Sequence, residues 1–178
     1  MDTTETSSGT TQQTGNARVI TAALEHIYIS PGHDYWRKPD APAVWHGIRD
    51  VPEVECVPGK GLVGDRYFHG KAGKMGQVTF FDAATADAIR EQFGLPDLAA
   101  SVFRRNLIVR GVTLSELLNR EFVFQGVTFE GVQECKPCVW MDRAVTQGVQ
   151  AFMRDAFRGG LRARIRTGGV LRVTGKND

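Results

Sequence analysis

Two of the chain's three cysteines sit in Glu134-Cys135-Lys136-Pro137-Cys138, directly after a predicted strand. A Cys-x-x-Cys pair serves as a redox couple, as half a zinc site, or as one reactive thiolate with a bystander. A redox pair of the thioredoxin kind opens a helix within a βαβ unit, and no βαβ rhythm is read in this chain. Structural zinc needs two further thiolates or imidazoles. Cys56 and the four histidines, His26, His33, His46 and His69, offer no second pair at ligand spacing. Two packed, inert cysteines are the plain alternative, because free cysteine behaves as a small hydrophobe. An ordinary free thiol is about 3% thiolate at pH 7, and nearby cations raise that fraction. Lys136 is such a cation. The thiolate is the form that attacks electrophiles, carries a persulfide or ligates a soft metal.

Phe103-Arg104-Arg105-Asn106 brings two guanidiniums and an amide to the start of a predicted strand. That set suits a clamp for phosphate or carboxylate, against the alternative of a solvated arginine pair. Arg162, Arg164 and Arg166 alternate and so fall on one strand face, either exposed or lining a cleft. Gly64-Asp65-Arg66-Tyr67 follows a glycine-rich turn that either aims Asp65 and Arg66 inward or forms a polar turn. His33, Asp34, His46 and His69 complete the candidates for acid–base or metal chemistry, although isolated histidines are more often surface or core residues.

These residues need a scaffold, and 178 residues supply one domain. With 42% apolar and 24% charged residues the chain can bury a core. No apolar run reaches the ~18–20 residues of a membrane span, so no membrane role is expected. The N-terminal residues have neither a basic nor an apolar signal segment, and three cysteines are too few for a disulfide scaffold. A cytoplasmic location is expected. Residues 1–100 hold 9 Lys/Arg against 13 Asp/Glu, whereas residues 101–178 hold 13 against 7. The basic half favours an anionic partner. No RNP-like, helix-turn-helix or zinc-finger pattern points to nucleic acid.

Residues 1–17 are nearly all small and polar and read as a disordered tail, with one domain over 18–178. Residues 19–30 read as one long strand, broken by Pro31-Gly32. Residues 31–52 carry Tyr35, Trp36 and Trp45 among four of the seven prolines and read as a long functional loop. Strands are expected at 54–57, 77–81 and 106–109, with a hairpin at 122–132. Asp82 caps a helix that runs to Phe93 and stops at Gly94. Val149, Phe152, Met153, Ala156 and Phe157 predict an amphipathic helix, and residues 161–174 a last hairpin around Gly168-Gly169. The whole reads as a mixed α+β domain, mainly β and barrel-like, with packed helices.

Taken in order, GLVGDRYF (61–68), GQVTFFD (76–82), RRNLIVRGVTLSELL (104–118), FVFQGVTFEGVQECKPC (122–138) and GGLRARIRTGGVLRV (159–173) resemble the MOSC domain. This is the module found at the C-terminus of molybdenum cofactor sulfurases and in stand-alone bacterial proteins. The resemblance implies a β-barrel-like fold with a ligand cleft and a key cysteine at the second position of the pair, Cys138. Relatives such as the amidoxime-reducing component bind molybdopterin, and the matching cysteine ligates molybdenum. Carried over, Cys138 is the catalytic thiolate and metal ligand, while Arg66, Arg104 and Asn106 contact the cofactor. Arg162 joins them from the alternating strand. The loop after the first strand reads Ser30-Pro31-Gly32-His33, where those relatives have a Lys-Ser pair, and His33 becomes a second catalytic candidate. The implied activity is reduction of N-oxygenated small molecules. A metal-free sulfur carrier with a persulfide on Cys138, and a Cys/His enzyme without molybdenum, remain open beside it. Each reading implies a small-molecule substrate, and the first two a separate sulfur donor or electron-transfer protein.

Overall fold

The computed structural model describes residues 17–33, 46–68, 70 and 74–174. The tail through residue 16 lies outside them, as do Asp34, Tyr35, Trp36, Trp45 and His69. Eight strands form one sheet: β1 (Arg18–Val19), β2 (Ala23–Ile29), β3 (Arg49–Asp50), β6 (Val78–Asp82), β7 (Leu107–Arg110), β8 (Glu121–Phe124), β9 (Val127–Glu134) and β10 (Leu161–Ile165). Their order is β1-β8-β9-β10-β6-β7-β2-β3. A small second sheet, β11 (Gly169–Arg172)-β4 (Glu53–Val57)-β5 (Gly61–Leu62), covers the inner face of this curled half-barrel. The domain is therefore mainly β.

Strand alternation builds two cores. Phe80 points inward to Phe122, Phe124 and Phe129, whose rings meet it at 5.2–6.3 Å between centroids. Its neighbour Phe81 points outward to a second core shared with Ile89, Phe103, Trp140, Val149 and Met153. That outer core lies under helices α1 (Ala83–Phe93), α2 (Trp140–Ala144) and α3 (Val149–Arg154). In β2 the pairing register with β7 slips between Leu24 and His26. The extra residue lets Leu24 and Ile27, three apart, share the inner core. No described helix is long and apolar enough to cross a membrane.

Local signals worked where local chemistry decides. Asp82 Oδ1 accepts from the Ala84 N–H at 3.0 Å, and Gly94 ends α1 with φ 64°. Four expectations need correction. The strand over 19–30 is divided into β1, on β8, and β2, on β7. The helix from Val149 stops at Arg154, because Asp155 is extended and Ala156 and Phe157 take φ 51° and 61°. Phe157 thereby leaves the α3 face and packs on the barrel core. Residues 161–174 are not a hairpin: β10 pairs with β6 and β9, while β11 crosses to β4. Finally, β6 and β7 are parallel and joined through α1, so the chain does contain one βαβ unit.

Candidate functional site

The Cys-x-x-Cys loop leaves the end of β9 and turns into α2. Cys135 is buried, and its N–H donates to the Gly160 carbonyl at 2.8 Å. Gly159 makes that approach possible, since a Cβ there would overlap the Cys135 carbonyl oxygen. Arg105 fixes the same junction. Its Nε donates to the Gly159 carbonyl at 2.9 Å and its other nitrogens to the carbonyls of Phe103 and Cys135, at 2.9 and 3.5 Å. Past this anchored corner Cys138 is exposed, and its carbonyl accepts from the Met141 N–H at 2.9 Å. Cys56 lies inside β4, where burial, with Glu55 beside it, pushes its thiol up to about 12. The exposed thiol is Cys138.

Cys138 opens onto a cleft of about 350 Å³. Five cations line it: Arg66, Arg104, Arg105, Lys136 and Arg162. His33, Tyr67, Trp140 and Met141 complete the described wall, and no carboxylate among the described residues belongs to it. Of the sequence candidates, Cys138, His33, Arg66, Arg104 and Arg162 are thus brought together. Tyr67 and Trp140 escaped the sequence reading as site residues. The cations at Arg66 and Arg104 were the available signal, because each guanidinium lies over one of these rings, at 4.7 and 5.0 Å.

Arg104 ends a 3₁₀ turn (Ala100–Phe103) in the left-handed region, with φ 56° and ψ 38°. A non-glycine residue held there is strained, and such strain collects at binding sites. Arg66 is nearly buried. It donates to Asp65 Oδ2 and to the Arg104 carbonyl, both at 3.3 Å, while its Nε has no hydrogen-bond partner among the described residues. His33 meets the Tyr67 ring edge-on at 5.3 Å.

Asn106 does not line the cleft. Its Oδ1 accepts from the Thr79 N–H and hydroxyl, at 3.1 and 2.9 Å. Its Nδ2 donates to the Tyr28 carbonyl and to Asp65 Oδ2, both at 3.1 Å. Both donors and both acceptor positions of the amide are spent, so the expected cofactor contact gives way to a positioning role. Asp65 is the other half of that device: its carboxylate also accepts from the N–H groups of Ser30 and Tyr67, at 3.2 and 3.1 Å. The polar-turn and inward-aiming readings of residues 64–67 are therefore one structure, in which buried Asp65 positions Arg66.

The alternating arginines separate. Arg164 and Arg166 each reach Glu130 at 3.3 Å, and Arg166 also reaches Glu121 at 3.3 Å. Arg162 precedes a register shift between β10 and β9 and has no carboxylate partner among the described residues. His26 is elsewhere, 2.7 Å from Asp50 and stacked on Tyr28. His46 lies against Gly32. Among the described residues no group of three or more His, Cys, Asp or Glu is placed to hold a metal ion.

No curated protein matches the chain. Among solved structures it is similar in fold to YuaD from Bacillus subtilis, with TM-score 0.66 and 16% identity over 86% of this chain and 92% of that one. YiiM from Geobacillus stearothermophilus gives 0.61 and 16%, over 85% and 71%. YiiM from Escherichia coli gives 0.55 and 17%, over 84% and 66%. The MOSC domain family matches residues 65–177, a stretch that holds Cys138 and all five cations of the cleft. With well over half its length matched, the chain belongs to the MOSC domain family.

Proposed function

We propose that the protein binds molybdopterin–molybdenum in the Cys138 cleft, with the Cys138 thiolate as its protein ligand. One observation carries this reading: a single exposed thiol in a cleft with five cations and no described carboxylate. The donor set fits the group. Guanidiniums bind phosphate in paired hydrogen bonds, and thiolate is the ligand type that a soft, dithiolene-bound metal takes. The Nε of nearly buried Arg66, which has no hydrogen-bond partner among the described residues, adds donor capacity.

In this reading Arg66, Arg104 and Arg162 hold the anionic end, and Lys136 balances charge beside Cys138. When bound, the cofactor supplies two-electron oxygen-atom chemistry, which suits reduction of N-oxygenated small molecules. The chain's own residues set the geometry. Arg105 and Gly159 fix the cysteine loop, the Asp65–Asn106 pair fixes Arg66, and Trp140 supports the Arg104 guanidinium. His33, against Tyr67 on the cleft wall, is in place to move a proton to or from a substrate. An electron donor would be a separate protein.

The test is metal and pterin analysis of protein made in a molybdenum-replete host. Near-stoichiometric molybdenum in the wild type, lost in Cys138→Ser and reduced in Arg104→Ala, supports the reading. Absence of molybdenum from the wild type, with a persulfide on Cys138 by mass spectrometry, overturns it in favour of a sulfur carrier.

A further inference from the structure

A second cavity, of about 250 Å³, adjoins the Cys138 cleft and shares two of its walls, Tyr67 and Arg162. Lys74, Met75, Gly76 and Thr79 complete it. Its chemistry is amphipathic. Two cations, Lys74 and Arg162, face a pocket with no carboxylate among its described lining, and neither has a carboxylate partner among the described residues. Met75 is 53% exposed beside them, exceeded among the exposed large hydrophobic residues of the described chain only by Val19. Methionine at a pocket offers adaptable, polarizable apolar surface.

The backbone is shaped to the same end. Gly76 has no side chain, and a Cβ there would sit 3.3 Å from Arg162 Cδ. The arginine stem therefore lies close over Gly76, and Arg162 lines both cavities. Gly70 likewise leaves room for Lys74 Nζ, which a Cβ would meet at 2.9 Å. Thr79 is held by its hydrogen bonds to Asn106, so the pocket floor is tied to the same network that positions Arg66.

We propose that this cavity is a binding subsite for a small organic oxyanion, a phosphate or carboxylate of roughly a dozen non-hydrogen atoms. The oxyanion lies between Lys74 and Arg162, and the apolar body lies between Met75 and Tyr67. That the oxyanion is the substrate rests on the reading that the neighbouring cleft holds the cofactor; the anion site itself does not. Arg162 then serves both cavities and brings the substrate's charged end within reach of Cys138's neighbours.

The experiment uses the full chain labelled with ¹³C at the methionine methyls. Met75 reports the proposed subsite, and Met141 reports the Cys138 cleft. Phenyl phosphate and benzoate are the oxyanion probes, and benzyl alcohol is the neutral control. The expected result is a saturable shift of the Met75 methyl by phenyl phosphate, weaker with benzoate and absent with benzyl alcohol. Lys74→Gln should weaken the phenyl phosphate response by about tenfold at low salt, and Lys74→Arg should restore it. The proposal falls if only Met141 responds, if benzyl alcohol acts equally well, or if Lys74→Gln changes nothing. A Lys74-dependent Met75 response in protein that carries no molybdenum supports the anion site while the cofactor reading fails.

Discussion

Asn106 Nδ2 donates to Asp65 Oδ2 across 3.1 Å, linking two motifs 41 residues apart in a place that water does not reach. With the Tyr28 and Thr79 contacts, this amide joins β2, β6, β7 and the 63–68 loop. Removing it takes the amide partner from the Tyr28 carbonyl and the Thr79 N–H and leaves Asp65 one donor fewer. Each unsatisfied buried group costs about 1–3 kcal/mol, partly relieved by relaxation. Asn106→Ala is expected to lose about 3 kcal/mol, a Tm fall of roughly 10 °C. An anion-binding defect at unchanged Tm would place Asn106 in the cleft instead.

Arg104 should behave in the opposite way. Glycine relieves the left-handed backbone by about 1 kcal/mol, which offsets the lost contact with Trp140, worth about 0.5–1 kcal/mol. Arg104→Gly is therefore expected to stay within about 1 kcal/mol of the wild type in urea unfolding, while phosphate affinity falls roughly tenfold. A large loss of stability would make the residue a structural one.

Gly159→Ala tests how the thiol is placed. The added methyl has to displace the Cys135 carbonyl, moving the whole 135–138 loop. We expect a loss of more than about 2 kcal/mol and new iodoacetamide labelling at Cys135. In the wild type Cys138 alone should label under native conditions, since Cys56 and Cys135 are buried. Equal labelling of Cys135 in wild type and variant would show that Gly159 does not hold the loop.

Alkaline pH should weaken the fold. Burial and Glu55 push the Cys56 thiol from 9.0 to about 12, and burial, with Asp50, pushes the Tyr28 phenol from 10.0 to about 12. The unfolded chain gives up these protons first. Their contribution is whole below about pH 9 and is lost as pH rises toward 12, with Cys56 alone accounting for about 1.4 kcal/mol per pH unit. Urea midpoints measured from pH 8 to 10.5 should fall less steeply for Cys56→Val than for the wild type. Parallel profiles would refute the assignment to Cys56.

What could be read from sequence divides along a physical line. Asp82, the apolar period and Gly94 make a helix whose start, face and end are all local, and all three were legible. Gln125-Gly126 gave the β8–β9 turn for the same reason, with φ 48° and 78° at its two residues. Gly168-Gly169 gave the same kind of signal and misled. Leu161, Ala163 and Ile165 on β10 are buried between β6 and β9, and no dipeptide reports that distant partners outcompete the adjacent strand. The end of α3 was equally hidden, since Ala156 and Phe157 are not residue types that announce a left-handed turn. At the site, residue types left each candidate open, and the family resemblance singled out Cys138, Arg66, Arg104 and His33, which share one cleft. Orientation did not follow from type. Whether the Asn106 amide looks outward or inward depends on a carboxylate at Asp65 that local sequence does not show.

The parting of the three arginines on β10 has a kinetic consequence. Glu130 and Glu121 cancel the charge of Arg164 and Arg166 at close range, so that end of the strand projects little field into solvent. Five cations line the opening at the Arg162 end, Asp65 pairs with Arg66 alone at 3.3 Å, and the summed potential over the opening is positive. The chain's net charge of only +2 thus conceals a local attractor. Anionic ligands should be drawn to this opening before they touch it. Their association rate should drop steeply as the screening length shortens from ~30 Å at 0.01 M salt to ~10 Å at 0.1 M, while dissociation changes little.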